Sequence, residues 1–242
     1  MRDFDNEAQS NSRLYNYNSD VIFRDLMLMD FAPFINKNPD ATSLEIGSYD
    51  GSMTSQILNH VNFLHVVEPS QELITIVENK FPEKVKTCHG TLEDVDLQLK
   101  FDNIFLIHTL EHLDDPVAAL VKIKSLLTPT GRLFLAVPNA NALSRQIGVH
   151  MGLIPNNSAV LDSEARQGHV CTYSIDTLRR DIIDSGFQIQ LLSGVFLKAL
   201  ANFQIDRAME QDIISMEYVI AANSLAKIYP DFSASLIAIC RN

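Results

Sequence analysis

The chain has 242 residues, 46% hydrophobic and 20% charged, which fits one large globular domain with ample core volume. The formal net charge is −11, and the 19 Lys and Arg residues are scattered without a cluster, which argues against nucleic acid as a partner. No apolar run reaches the roughly 18 residues that a membrane helix needs, and the polar start MRDFDNEAQSNSR is no signal peptide, so no membrane partner and a cytoplasmic location are expected.

In chain order, residues 15–36 carry the pattern VIFRDLMLMDFAPFI of an amphipathic helix broken near Pro33. Strands and helices then alternate. Strands are expected at 42–47, 62–68, 85–90, 103–108 and 131–138, with helices at 52–59, 71–80 and 116–127 between them. A helix at 178–185, a sixth strand at 188–197 and a last strand at 233–240 complete the series. This alternation predicts an α/β fold built on a Rossmann-like, mostly parallel seven-stranded sheet with helices on both faces. Two stretches break the rhythm: a long connection rich in Gly, Asn and His at 139–173, and a helical excursion at 202–230. Connections of that length in a compact domain often form lids or substrate walls. In such sheets ligands bind beyond the carboxyl ends of the strands, which directs attention to the residues after 47, 68, 90, 108 and 138.

The first of these points reads LEIGSYDGS, where Gly47 and Gly51 flank a tight strand-to-helix turn. The second ends in HVVEPS, placing Glu68 where a carboxylate can accept hydrogen bonds from both hydroxyls of a ribose. Together they imply an adenosine-bearing ligand. The closely spaced GxGxxG of dinucleotide sites is absent, and the turn is acidic through Glu45 and Asp50. Carboxylates repel a pyrophosphate but attract a sulfonium and an ammonium.

These segments resemble the class I S-adenosylmethionine-dependent methyltransferases, in particular the broad group related to the ubiquinone and menaquinone methyltransferases. LEIGSYDGS looks like the first motif of that family, HVVEPS like its second, FDNIFLIHTLEHLDDP like its fourth, and LLTPTGRLFLAVPN like its strand-five motif, all in the expected order over residues 40–140. The resemblance implies S-adenosylmethionine as cofactor. Glu45, Gly47 and His108 would lie beside its methionine part, Glu68 would hold its ribose, and Thr91, Leu92 and Glu93 would border the adenine, with Ser48, Tyr49, Gly51 and Pro69 also counted as cofactor-binding. Two departures stand out: Tyr49 replaces a usual glycine, and Thr91 stands where many relatives carry an adenine-reading Asp. A helical segment before the first strand, residues 1–38, commonly folds over the cofactor in this family, which draws Tyr15 and Tyr17 toward the site.

On the acceptor side the catalytic candidates are His169, in GHVCTYS at the end of the long connection, and Glu111, after strand four. Either could take a proton from a hydroxyl acceptor. Substrate contacts are expected from Tyr15, Arg145, His150, Tyr173 and Lys198, the cations among them suiting an anionic group. His, Asp, Glu and the three cysteines show no ligand-type spacing, so no metal is expected, and Cys88 and Cys240 read as buried thiols in strands. Asp114 and Asp115 read as the start of a helix. The reading that results is a methyltransferase for a small polar acceptor, with a sugar or surface-polysaccharide precursor favoured by a weaker resemblance around GVFLKALANFQ and SLAKIYPDF. A non-catalytic cofactor-binding module and a dinucleotide-dependent oxidoreductase are the rivals, and a homodimer is compatible with the sequence.

Overall fold

A computed structural model describes residues 4–6 and 18–242; Tyr15 and Tyr17 lie outside the described residues. Seven strands form one sheet: β1 Ser43–Ile46, β2 Leu64–Glu68, β3 Val85–His89, β4 Phe101–Ile107, β5 Leu127–Pro138, β6 Gln188–Val195 and β7 Ser235–Arg241. Their order is β3-β2-β1-β4-β5-β7-β6. Strands β1 to β5 are mutually parallel, while β7 runs antiparallel between β5 and β6. The order reverses between β1 and β4, so the crevice above their carboxyl ends is the topological switch point where open α/β sheets bind ligands.

Each expected strand and helix is present, most of them within a residue or two of the expected bounds. The helices are α1 Asn18–Phe31, α2 Ser52–Ile57, α3 Gln71–Lys80, α4 Pro116–Leu126, α5 Leu143–His150, α6 Asp162–Arg166, α7 Ile175–Asp184, α8 Asn202–Glu210 and α9 Met216–Ile228. Helix α4 starts where the paired acids suggested: Asp115 caps it, its carboxylate accepting from the Ala118 N–H at 3.0 Å, with Pro116 in the first turn. The connection 139–173 is not bare loop, since it contains α5 and α6. Strand β5 begins four residues earlier than expected, at Leu127, which pairs with Phe101.

The sheet lies between two cores. On one face Leu120 and Ile123 of α4 and Leu178 and Ile182 of α7 pack on Ile104, Leu106, Leu133 and Leu135. On the other, Phe23, Leu26 and Phe31 of α1, with Ile205 and Val219 of α8 and α9, cover Phe105, Phe134 and Ile239. Phe105 stacks on Phe134 at 5.0 Å, and Phe31 meets the same ring edge-on. Cys240 is buried as expected, but Cys88 is only half-buried; the cysteines form no disulfide. Among the described residues no helix is long and apolar enough to cross a membrane.

Candidate active site

The cofactor end is built around the turn after β1. Gly47 adopts φ +79°, and a Cβ there would lie 2.6 Å from Thr109 Oγ1, so both the dihedral and the space demand glycine. Asp50 accepts from the Ser52 N–H at 3.0 Å, a local turn just ahead of α2, whose N-cap is Gly51. Tyr49, where relatives carry glycine, holds φ +48°, a left-handed conformation that its N–H uses to reach Glu68. Glu68 does more than the sequence suggested. Its Oε2 accepts from the Ser48 and Tyr49 N–H groups, both at 3.0 Å, and its Oε1 accepts from the Ser70 N–H at 3.1 Å. It is therefore the brace of the glycine turn, and burial still raises its pKa against these three backbone bonds. A carboxylate offers about four lone-pair sites, so Oε1 keeps room for a ribose hydroxyl.

Glu45 is 1% exposed. Thr54 Oγ1 donates to its Oε2 at 2.6 Å, while Oε1 has no hydrogen-bond partner. Burial, and next the nearby Glu68 charge, push its carboxyl up to about 8, and a cation such as an ammonium would favour the ionised form. At the positions expected to border an adenine, Leu92 is buried at 2%, Glu93 is exposed, and the Thr91 hydroxyl donates to Asp94 Oδ2 at 2.9 Å. Asp94 thus brings a carboxylate beside Thr91 three positions later than the pattern places one. Pro69 offers its carbonyl to His89 Nε2 at 3.0 Å, and Asp5 accepts from Ser70 Oγ and the Glu72 N–H, which ties the N-terminal segment to the tip of β2. Sequence reasoning missed Asp5, Ser70, Asp94 and Thr109, each of which acts through a contact between distant parts of the chain or a turn that only the fold makes visible.

At the tip of β4, His108 has φ +52°, and its ring is pushed well down by burial and by the surrounding His169, Arg24, His112 and Lys198. Its Nδ1 stands 3.7 Å from Glu111 Oε1, too far for a hydrogen bond, and the lowered pKa disfavours an ion pair between them. Glu111, in the 3-10 turn Leu110–His112, is 1% exposed, and neither of its carboxylate oxygens has a hydrogen-bond partner. The Val170 N–H donates to the Glu111 carbonyl at 2.9 Å, which lays residues 169–171 along that turn. The His169 ring packs edge-on against His112, with centroids 4.6 Å apart. Thus the two catalytic candidates, far apart in the chain, come together. His169 is pushed down by burial first, with Glu164 opposing and Arg145 assisting.

Glu111 and His169 border a small cavity with Asn139, Ala140, Arg145 and Thr172. Ala140 and Thr172 also line a larger one of about 550 Å³, which runs along α5 past Asn141, Gln146 and His150 to the start of α7. Tyr173 does not reach it. Its side chain is 2% exposed and its hydroxyl donates to Asp181 Oδ2 at 3.3 Å, so it is a core residue, and Thr172 and Ser174 present themselves instead. Arg145 is no free cation either: its guanidinium donates to Glu164 Oε1 at 2.5 Å, to the Asn157 carbonyl at 2.7 Å and to the Ala159 carbonyl. Lys198 lines neither cavity; it donates to Asn202 Oδ1 with the Phe23 ring 5.4 Å away, and burial pushes it down to about 8. Residues 202–230 line neither cavity; α8 packs on α1, and α9 on β6.

A 3-2-1-4-5-7-6 sheet with an antiparallel seventh strand, a glycine turn after β1 and an acid at the tip of β2 define a class I methyltransferase. A family model described as a methyltransferase domain matches residues 21–192, and the chain belongs to that family. The ubiquinone biosynthesis O-methyltransferase of Coxiella burnetii is 26% identical over 102 residues, covering 40% of this chain and 44% of that protein, so the match spans under half of either. Among solved structures, the N-methyltransferase NodS from Bradyrhizobium japonicum WM9, in complex with S-adenosyl-L-homocysteine, superposes with TM-score 0.61 at 16% identity, covering 98% of this chain and 99% of that one. A methyltransferase from Mesorhizobium loti gives TM-score 0.62 at 11% identity, with 88% and 96% covered. The chain carries a methyltransferase domain of the S-adenosylmethionine-dependent class I type. The cofactor supplies an activated methyl group together with its own leaving group; what remains for the protein is alignment and management of the acceptor's proton.

Proposed function

We propose that the acceptor is a small, neutral, hydroxyl-rich molecule such as a sugar or a polysaccharide precursor, and that it is methylated on oxygen. The lining of the 550 Å³ cavity carries this reading. Asn141, Gln146, Asn156, Asn157, Ser158 and Thr172 contribute amides and hydroxyls, His150 is its one ionisable residue, and no Phe, Tyr or Trp lines it. Amides and hydroxyls both donate and accept, which matches the alternating needs of a polyol. A quinol-type ring would call for apolar and aromatic walls.

His169 and Glu111 serve this acceptor by receiving or positioning its hydroxyl proton, in the small cavity that adjoins the larger one through Ala140 and Thr172. His150 lines the larger cavity, whereas Lys198 borders neither. Residues 139–173 form the acceptor wall, and 202–230 brace α1, the helix that precedes β1.

The test is methyl transfer from S-adenosylmethionine to a panel of free sugars, sugar nucleotides and catechols, read by mass spectrometry of the product. Methylated sugars are expected, with KM raised in Asn141→Ala. Turnover of catechols alone would overturn the acceptor class. His169→Ala should bind cofactor normally but turn over about 10²–10⁴ times more slowly.

A further inference from the structure

The sequence shows no ligand-type spacing, yet the fold brings two imidazoles and a carboxylate to one point. One ligand-capable atom each of Glu111, His112 and His169 lies within 4.8 Å of the others. Glu111 is the unusual member. Both of its oxygens are buried without a hydrogen-bond partner. Ionised, it lacks a donor; protonated, its hydroxyl lacks an acceptor. Buried polar atoms are rarely left so, because each costs free energy that a partner would recover.

We propose that Glu111, His112 and His169 bind a divalent first-row transition ion such as Zn²⁺ at the acceptor end of the sheet. Two imidazoles with one carboxylate suit that group of ions better than Mg²⁺, which prefers an all-oxygen shell. Bonds of about 2.1 Å in a tetrahedral site put ligand atoms roughly 3.4 Å apart, so closing the site needs a contraction of about 1.4 Å at most from the present 4.8 Å. The backbone around the ligands is already fixed. Glu111 and His112 sit on one 3-10 turn, and the Val170 N–H bond to the Glu111 carbonyl holds the neighbour of His169 against it. The His169 backbone N–H donates to the Glu164 carbonyl at 3.0 Å, and Arg145 pairs with the Glu164 carboxylate, so the segment carrying His169 is held in place.

Three protein ligands leave a fourth position, the pattern of open rather than structural sites. Glu111 and His169 both border the small cavity that adjoins the polar one, so an acceptor oxygen can complete the shell. This rests on the acceptor-side reading of Glu111 and His169 and deepens it: an ion held by them would position the acceptor hydroxyl and ease the loss of its proton.

The test uses the full chain, stripped with a chelator and titrated with Co²⁺, and needs no acceptor. One saturating equivalent with visible d–d absorption is expected, displaced by Zn²⁺. His112→Ala and His169→Ala should weaken binding by more than about 100-fold, with S-adenosylmethionine affinity unchanged as evidence of folding, and His60→Ala should bind as the parent does. In the unaltered protein, Zn²⁺ should shift the ring resonances of two of its seven histidines, which covers the case in which a variant does not fold. No saturable binding, equal binding in the variants, or shifts at other histidines would overturn the site. A protein that binds Co²⁺ in this way yet methylates no sugar would overturn only the acceptor class.

Discussion

Gly47 shows how one position sets the cofactor end. Its φ of +79° and the 2.6 Å approach of Thr109 Oγ1 to a notional Cβ are separate obstacles to any side chain. Gly47→Ala should destabilise the turn by about 1–3 kcal/mol and weaken S-adenosylmethionine binding, measured by thermal unfolding and calorimetry. In a Thr109→Ala background only the steric part should be recovered, because the dihedral cost remains; full recovery would refute the backbone argument. The glycine and the acid at Glu68 were legible in the sequence because the turn is local and the acid ends a strand. The bracing of that turn by Glu68 was not, since it runs between backbone N–H groups and a side chain 20 positions away. The same holds for Tyr173. Its position before α7 is readable, but the turn of its side chain into the core, toward Asp181, depends on tertiary packing.

Most elements lie within a residue or two of their sequence bounds, and α3 lies at its expected bounds of 71–80. Helix α5 reads as loop in the sequence for a physical reason. It has only eight residues, a glycine inside it, and Asn and Pro on both sides, so loop signals surround its short amphipathic stretch. Gly148 is there for packing, because a Cβ would meet Ile154 Cδ1 at 2.9 Å. What holds α5 to the following loop and α6 is Arg145, through Glu164 and the carbonyls of residues 157 and 159. Arg145→Ala should therefore loosen the whole 151–164 segment by about 1.5–3 kcal/mol of local stability. Cleavage by chymotrypsin near Met151 and Leu153, which are 66% and 71% exposed, should speed up while the global melting temperature moves little. An unchanged cleavage rate would show that the tether is not what orders this wall.

At the scale of the molecule, the sheet order follows from alternation and short connections, but the antiparallel β7 between β5 and β6 has no local signature. It arises because the strand re-enters the sheet after α8 and α9, a non-local fact. The fold also forces a cost that pH makes visible. β1 must end at the switch point, and that carries Glu45 into the interior, where burial raises its carboxyl from an ordinary 4.5 to about 8. Between those values the unfolded chain has released this proton and the native protein has kept it. The contribution is fully present below about 4.5 and is lost as pH rises through 8. Stability should fall over that window with a slope of up to about 1.4 kcal/mol per pH unit from this group alone. Glu45→Gln should remove one proton's worth of slope in denaturant titrations, since the amide stays neutral and keeps an acceptor for Thr54. Saturating S-adenosylmethionine should reduce the slope in the parent protein, because a cation beside Glu45 favours its ionised form and lowers the folded-state value. A parent slope that Glu45→Gln leaves intact would place the titrating group elsewhere, and a slope blind to the cofactor would separate Glu45 from the methionine end of the site.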